Sequence, residues 1–224
     1  MAQLIITLVG ERAEAWAEHS KHLLLQYSGR GIGPPVATAN LRRNFTLAII
    51  NGTNAPELLI GGSASDFIRG FGGDDVLVGL EGNDVLVGDS GIDQIGGGAG
   101  NDVLVGGIDF DKLVGGTGAD TFRYLSTADS GVGVLGSSHR DIIADFVHGQ
   151  DKIDLEAVDA KFSTADNQAF TFIGSASFTA EGQVRVVTEG DHTLVQMNTF
   201  DGLGAESAIE LTGNIDITAT DFTL

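Results

Sequence analysis

From Gly61 to Arg123 the chain alternates glycine-rich polar stretches with short apolar runs at a strict nine-residue period. One apolar column runs through Ile68, Leu77, Leu86, Ile95, Leu104, Leu113 and Phe122. Glycine keeps the same spacing at Gly61, Gly70, Gly79, Gly88, Gly97, Gly106 and Gly115. Aspartate does so at Asp66, Asp75, Asp84, Asp93, Asp102, Asp111 and Asp120. Three columns in one register over seven units mark a tandem repeat, the signature of a stacked architecture. A decayed eighth copy precedes them at 52–60, with Glu57 in the aspartate place and Leu59 in the apolar one.

Within a unit the first six residues are small, polar and rich in glycine, which suits a tight turn with left-handed backbone angles. The last three, as in Val85-Leu86-Val87, are aliphatic and suit a short strand whose middle residue faces one side. Strands this short must stack to bury that face. Alternate units then form two parallel sheets with the apolar column between them, one turn taking 18 residues. Asp66, Asp84, Asp102 and Asp120 line one edge, and Asp75, Asp93 and Asp111 the other.

After Ala119 the pattern changes to short alternating stretches: 119–124, 141–146, 151–155, 170–175, 193–196 and 209–213. These predict antiparallel strands that cover the last layer of the stack, with Phe122, Tyr124 and Phe146 as the covering side chains. The fold class expected is all-β. A right-handed parallel β-roll is followed by an antiparallel β-sandwich-like C-terminal cap, and a short mixed or helical segment precedes both. The boundaries read as 1–50 for the N-terminal segment, 51–123 for the roll and 124–224 for the cap region. Within the first, 4–9 predicts a strand, 11–27 a helix and 28–40 a linker, and 48–52 leads into the roll.

Charge sharpens the picture. The net charge is -19, and no aspartate occurs before Asp66. Residues 1–50 carry +2, whereas 51–224 carry 28 acids against seven bases. So acidic a body repels nucleic acid phosphates and anionic lipid, which leaves a cation as its natural small partner. No apolar run is long enough to span a bilayer, so no membrane insertion is expected. With no cysteine, disulfides do not staple the chain. The stretch 1–10 has no Lys or Arg ahead of its apolar residues and so lacks the form of a Sec signal peptide.

Stacked strands lie about 4.7–4.9 Å apart, so carboxylates on adjacent rungs repel by roughly 3–4 kcal/mol at an effective dielectric near 20. A cation between the rungs removes that penalty. Calcium fits, because it takes six to eight hard oxygens and accepts backbone carbonyls as readily as carboxylates. The expected ligands are the seven aspartates Asp66 to Asp120 together with the glycine turns at Gly62, Gly73, Gly82, Gly91, Gly98, Gly100, Gly116 and Gly118. Several Ca2+ ions are expected. The sites touching 61–66 and 106–111 should be the weakest, because Ala64 and Asp109 stand where the other units place glycine.

The best-formed unit, Gly97-Gly-Ala-Gly-Asn-Asp-Val-Leu-Val105, is similar to the calcium-binding RTX nonapeptide G-G-x-G-x-D-x-U-x. Beyond the repeats, Ala119-Asp-Thr-Phe-Arg-Tyr124, the block from Asp145-Phe146 to Asp151-Lys-Ile-Asp-Leu155, and the closing Asp221-Phe-Thr-Leu224 resemble the C-terminal region of serralysin-type secreted metalloproteases. That resemblance covers 61–224. It implies a calcium-binding β-roll and an uncleaved C-terminal signal read by type I secretion machinery, hence an extracellular protein; a monomer is expected. Asp221-Phe222 followed by an apolar end resembles the terminus of such a signal, and no Lys or Arg occurs from Val186 on. Thr223 stands where the family more often has an apolar residue.

No catalytic motif accompanies these features. H-E-x-x-H, G-x-S-x-G and the P-loop are all absent, and the five histidines are His19, His22, His139, His148 and His192. His19 and His22 lie on the expected helix as solvated residues. The segment 198–206 reads as an ordinary turn and does not fit an EF-hand loop. The expectation is therefore a non-enzymatic calcium-binding module. The alternatives are the non-catalytic part of a secreted protease or other RTX enzyme, and a glycan-binding accessory module like those attached to alginate epimerases.

Overall fold

The structure, a computed structural model, describes residues 47–129, 140–163, 165–200 and 204–224, together with the backbone of two N-terminal strands. The chain divides into two compact units, Met1–Pro35 and Val36–Leu224. In the first, β1 (Gln3–Thr7) and β2 (Leu24–Ser28) pair antiparallel, with Gln3 opposite Ser28. The expected strand at 4–9 thus exists. The helix expected over 11–27 is corrected at its end: residues 24–27 are strand, because pairing with β1 outweighs the helical preference of a short stretch. Residues 11–23 of that helix, with His19 and His22, and residues 29–40 of the expected linker lie outside the described residues.

From Ile49 the second unit climbs as a solenoid through β3 (Ile49–Asn51), β4 (Leu58–Ile60), β5 (Phe67–Gly72), β6 (Val76–Glu81), β7 (Val85–Ser90), β8 (Gln94–Ala99), β9 (Val103–Ile108), β10 (Lys112–Thr117) and β11 (Thr121–Arg123). Odd-numbered strands stack parallel in one sheet and even-numbered strands in the other. Ile68 lies opposite Leu86 and Leu86 opposite Leu104, so each turn takes 18 residues. The decayed copy takes its place as β4, with Leu58–Ile60 paired to Val76–Val78. The strands from β5 to β10 run six residues rather than three, because pairing continues past the aliphatic triplet into the next unit's first glycines.

Strand pairing then extends through β12 (Ile142–Ile143), β13 (Lys152–Asp154), β14 (Thr171–Phe172), β15 (Gln183–Glu189), β16 (His192–Asn198), β17 (Ser207–Thr212) and β18 (Phe222–Thr223). Antiparallel pairing, expected throughout this region, is confined to β15, β16 and β17. By contrast β12 adds parallel to β10 and β13 parallel to β11, and β17 and β18 follow on them. The physical reason is local. Asp141-Ile-Ile143 and Asp151-Lys-Ile153 repeat the aspartate–x–apolar triplet and so fit the next rung of each sheet. The only helix among the described residues is a 3-10 turn at Ala219–Asp221, and none is long and apolar enough to cross a membrane.

The apolar column forms the core. Ile68, Leu77, Leu86, Leu104, Leu113 and Phe122 are fully buried, and Ile143, Ile153, Leu211 and Phe222 prolong the column into the cap. Full burial of each such side chain stabilises the fold by about 1.5–3 kcal/mol. Tyr124 and Phe146 are buried over the end of the repeats, and the Phe122 and Phe146 rings approach to 6.1 Å.

Candidate metal centre

Each repeat aspartate immediately precedes a strand, so stacking the strands stacks the carboxylates along the two turn edges. The expected edges are the ones formed. All seven aspartates from Asp66 to Asp120 are 1–3% exposed. Their mutual arrangement is more specific than a row of charges. The backbone N–H of each donates to Oδ1 of the aspartate one turn on: Asp66 to Asp84 at 2.7 Å, Asp75 to Asp93, Asp84 to Asp102 and Asp93 to Asp111 at 2.8 Å, and Asp102 to Asp120 at 2.9 Å. Ala48 and Glu57 begin the two ladders by donating to Asp66 and Asp75.

One oxygen of each rung is therefore anchored, and the other is not. Oδ2 of Asp75, Asp84, Asp93, Asp102, Asp111 and Asp120 is buried and has no hydrogen-bond partner. Asp66 differs. Its Oδ2 accepts the Gly62 N–H at 2.6 Å, so both of its oxygens are engaged.

The first glycine of each unit makes room for the orphaned oxygen. A Cβ at Gly88 would lie 2.1 Å from Asp93 Oδ2 and 2.5 Å from the Gly106 carbonyl oxygen of the next turn. The other turn glycines sit against carbonyls of the preceding turn. Gly100, at φ +134°, would place a Cβ 1.7 Å from the Gly82 carbonyl oxygen, and Gly98 one 2.1 Å from that of Leu80. Gly73, Gly82, Gly91, Gly116 and Gly118 share this positive φ. Phe71, Leu80, Asp89 and Asp109 adopt it without being glycine. Carboxylate and carbonyl oxygens thus converge on the turns, with no nitrogen or sulfur ligand in the repeats.

Burial pushes these carboxyl groups up: Asp75, Asp84 and Asp120 to about 6, Asp93 to about 7 and Asp111 to about 8. The N–H from the preceding rung opposes the rise, and neighbouring carboxylates add to it. Asp102 is also raised by burial, against the Asp84 N–H. Negative charge on these rungs is costly unless a cation shares it. The donor set suits calcium: orphaned carboxylate oxygens, backbone carbonyls and a flexible loop geometry. Among the described residues no three His, Cys, Asp or Glu side chains form a cluster that could hold a metal ion. Zinc, which relies on side-chain nitrogen and sulfur, does not fit.

Two ladder residues beyond the repeats escaped the periodicity. Asp141 accepts the Asp111 N–H at 2.9 Å and Asp151 the Asp120 N–H at 3.0 Å, so they continue the two ladders. Asp141 is fully buried, and the Tyr124 hydroxyl lies beside it, a contact that works against the rise caused by burial. Burial, and then Asp111, hold the Asp141 carboxyl well above the usual carboxylate range. The signal was the bare triplet Asp141-Ile-Ile143, which lacks the glycine turn. Of the histidines, His148 bonds Asp221 at 2.8 Å, and His192 lies near Asp191 and Glu210. His148 belongs to the turn that leads into Asp151, and His139 lies outside the described residues, as do 201–203 of the turn expected at 198–206.

A sequence profile of the family described as peptidase M10 serralysin C terminal matches residues 73–224. This chain belongs to that family. A second profile, the RTX calcium-binding nonapeptide repeat, matches residues 51–86. This serralysin C-terminal chain is thus a calcium-binding RTX β-roll protein, and both matching regions are non-catalytic modules. No curated protein sequence matches it. Similar solved structures include two subunits of the Azotobacter vinelandii mannuronan C5-epimerase. The AlgE6R2 subunit is 28% identical over 78% of this chain and 91% of its own, with a TM-score of 0.49. The AlgE6R3 subunit is 29% identical over 86% of each chain, with a TM-score of 0.36. The extracellular lipase LipA from Serratia marcescens is 13% identical over 85% of this chain and 42% of its own, with a TM-score of 0.32.

Proposed function

We propose that this protein is a calcium-folded, non-enzymatic module, exported by a type I secretion route and completed outside the cell. Several calcium ions would be held between successive turns by Asp75, Asp84, Asp93, Asp102, Asp111 and Asp120. Carbonyls of the turns at Gly73, Gly82, Gly91, Gly98, Gly100, Gly116 and Gly118 would complete the shells, with Asp141 closing one ladder. Asp66 and Gly62 would make a weaker end site, since Gly62 already occupies the Asp66 oxygen that the other rungs leave open.

The observation that carries this reading is the row of buried Oδ2 atoms without partners. Leaving a buried charged acceptor unpaired is expensive, and a divalent ion shared between rungs removes the expense. A bound calcium supplies positive charge and flexible oxygen coordination; the chain's own part is to present converging oxygens only once its turns are stacked. Binding free energy is then folding free energy. Where calcium is scarce, the acidic chain stays open for passage; at extracellular millimolar calcium it closes.

Calorimetric titration of the full chain with calcium tests this. More than one ion per chain, bound with the enthalpy of a folding reaction, is expected, and the saturated protein should leave casein uncut. A single ion, or none, would contradict it.

A further inference from the structure

The cap carries the only exposed aromatic rings among the described side chains. Phe162 and Phe200 are each 52% exposed, and their rings stack 4.9 Å apart and 7° from parallel. The other described phenylalanines and Tyr124 are buried or half-buried. Two large apolar rings held together in water form a contiguous patch, and such patches mark contact surfaces where single exposed side chains do not.

Three segments hold the pair in place. Phe200 follows the end of β16, Phe162 belongs to the loop before β14, and Glu181-Gly182 leads into β15. The Phe162 N–H donates to the Thr199 carbonyl at 3.3 Å, and the Gly182 N–H to the Asn198 carbonyl at 2.8 Å. Gly182 turns at φ +75°, and a Cβ there would lie 2.7 Å from Lys161 Cε, so its absence lets the Lys161 stem cross the turn. Ser163, next to Phe162, donates its hydroxyl to Glu181 Oε1, while Glu181 Oε2 has no hydrogen-bond partner. The rings thus stand beside a serine hydroxyl and a half-buried carboxylate with one unpaired oxygen.

Geometry and charge select the ligand. Parallel rings present flat outer faces and do not box in an ammonium group as an aromatic cage does. An acidic ligand is repelled by Glu181 and by the net charge of -19. A neutral pyranose meets neither objection. One of its faces is a sheet of C–H groups, whose partial positive charge suits the negative face of an aromatic ring, and its hydroxyls donate to carboxylate oxygens.

We propose that Phe162 and Phe200, with Ser163 and Glu181, form a binding site for a neutral hexopyranose within an oligosaccharide chain. The sugar stacks its C–H face on an outer ring face, and one of its hydroxyls donates to Glu181. The site shares no residue with the carboxylate ladders, so sugar binding and calcium uptake are read separately.

Saturation-transfer nuclear magnetic resonance of the calcium-saturated full chain tests the site, with cellotetraose, mannotetraose and N-acetylchitotetraose as probes. Irradiating the aromatic protons should saturate the C–H protons of at least one of these sugars. Phe162→Ala and Phe200→Ala should each weaken that binding roughly tenfold with the circular dichroism spectrum in calcium unchanged, whereas Phe200→Tyr should keep it within about twofold. Glu181→Gln should weaken it about fivefold, because an amide oxygen is a poorer acceptor than a carboxylate. Binding of none of the sugars, preferential binding of choline or tetragalacturonate, or unchanged affinity after both ring substitutions would overturn the proposal. So would loss of the β spectrum in the two alanine variants, since the rings would then be packing elements of the cap.

Discussion

At the scale of single residues, a repeat aspartate has two separate tasks. Oδ1 of Asp93 accepts the Asp75 N–H at 2.8 Å, and Oδ2 is buried without a partner. Substitutions separate the two. Asp93→Asn keeps an acceptor for the N–H but removes the charge. It should weaken calcium binding by roughly tenfold, about 1.4 kcal/mol, while the calcium-saturated fold survives. Asp93→Ala also orphans the N–H and should destabilise the saturated protein by about 1–3 kcal/mol more. Melting both variants at saturating calcium checks the difference; equal losses would mean that Oδ1 anchors nothing. The aspartate column was plain in the sequence because side-chain type repeats every nine residues. The division of labour between its oxygens was not, because it depends on rotamer and on the stacking distance.

Among the elements, the strands were legible in place but not in length, since pairing runs on into the glycines of the next unit. Three units do this at a penalty. Phe71, Leu80 and Asp89 hold φ of 75–84° where later units use glycine. Such a conformation costs a side-chain-bearing residue about 1–2 kcal/mol. Leu80 is 37% exposed and so buries little in return. Leu80→Gly should therefore raise the stability of the calcium-bound protein by on the order of 0.5–1 kcal/mol, after the added flexibility of the unfolded chain is counted. Thermal melting reads the change, and a lower midpoint would show that Leu80 packing outweighs the strain. The parallel addition of β12 and β13 was not legible. Asp141 follows Asp111 by 30 residues and Asp151 follows Asp120 by 31, which breaks the 18-residue interval. At the start, helical spacing over 11–27 suggested a helix, yet 24–27 is strand, because a partner strand is invisible to a local pattern.

For the whole molecule, a net charge of -19 and two buried carboxylate ladders make the chain sensitive to whatever neutralises them. Protons can do this in part. The raised values, about 6 for Asp75, Asp84 and Asp120, about 7 for Asp93 and about 8 for Asp111, all exceed the ordinary 3.8. The folded state thus holds more protons than the unfolded chain between about pH 4 and 8, and stability falls as pH rises through that window. In chelator, β structure should increase on going from pH 8 to pH 5. In the same range the calcium midpoint should rise as pH falls, because protons and calcium compete for the same oxygens. A pH-independent calcium midpoint would contradict both expectations.

The central claim is that calcium between the rungs closes the roll, and far-ultraviolet circular dichroism of the full chain tests it most directly. At pH 8 the spectrum in chelator should be that of a largely unfolded chain. Calcium should restore the β signal cooperatively, and magnesium, which keeps its waters and demands a tighter octahedron, should not. The same β spectrum in chelator and in calcium would contradict the claim.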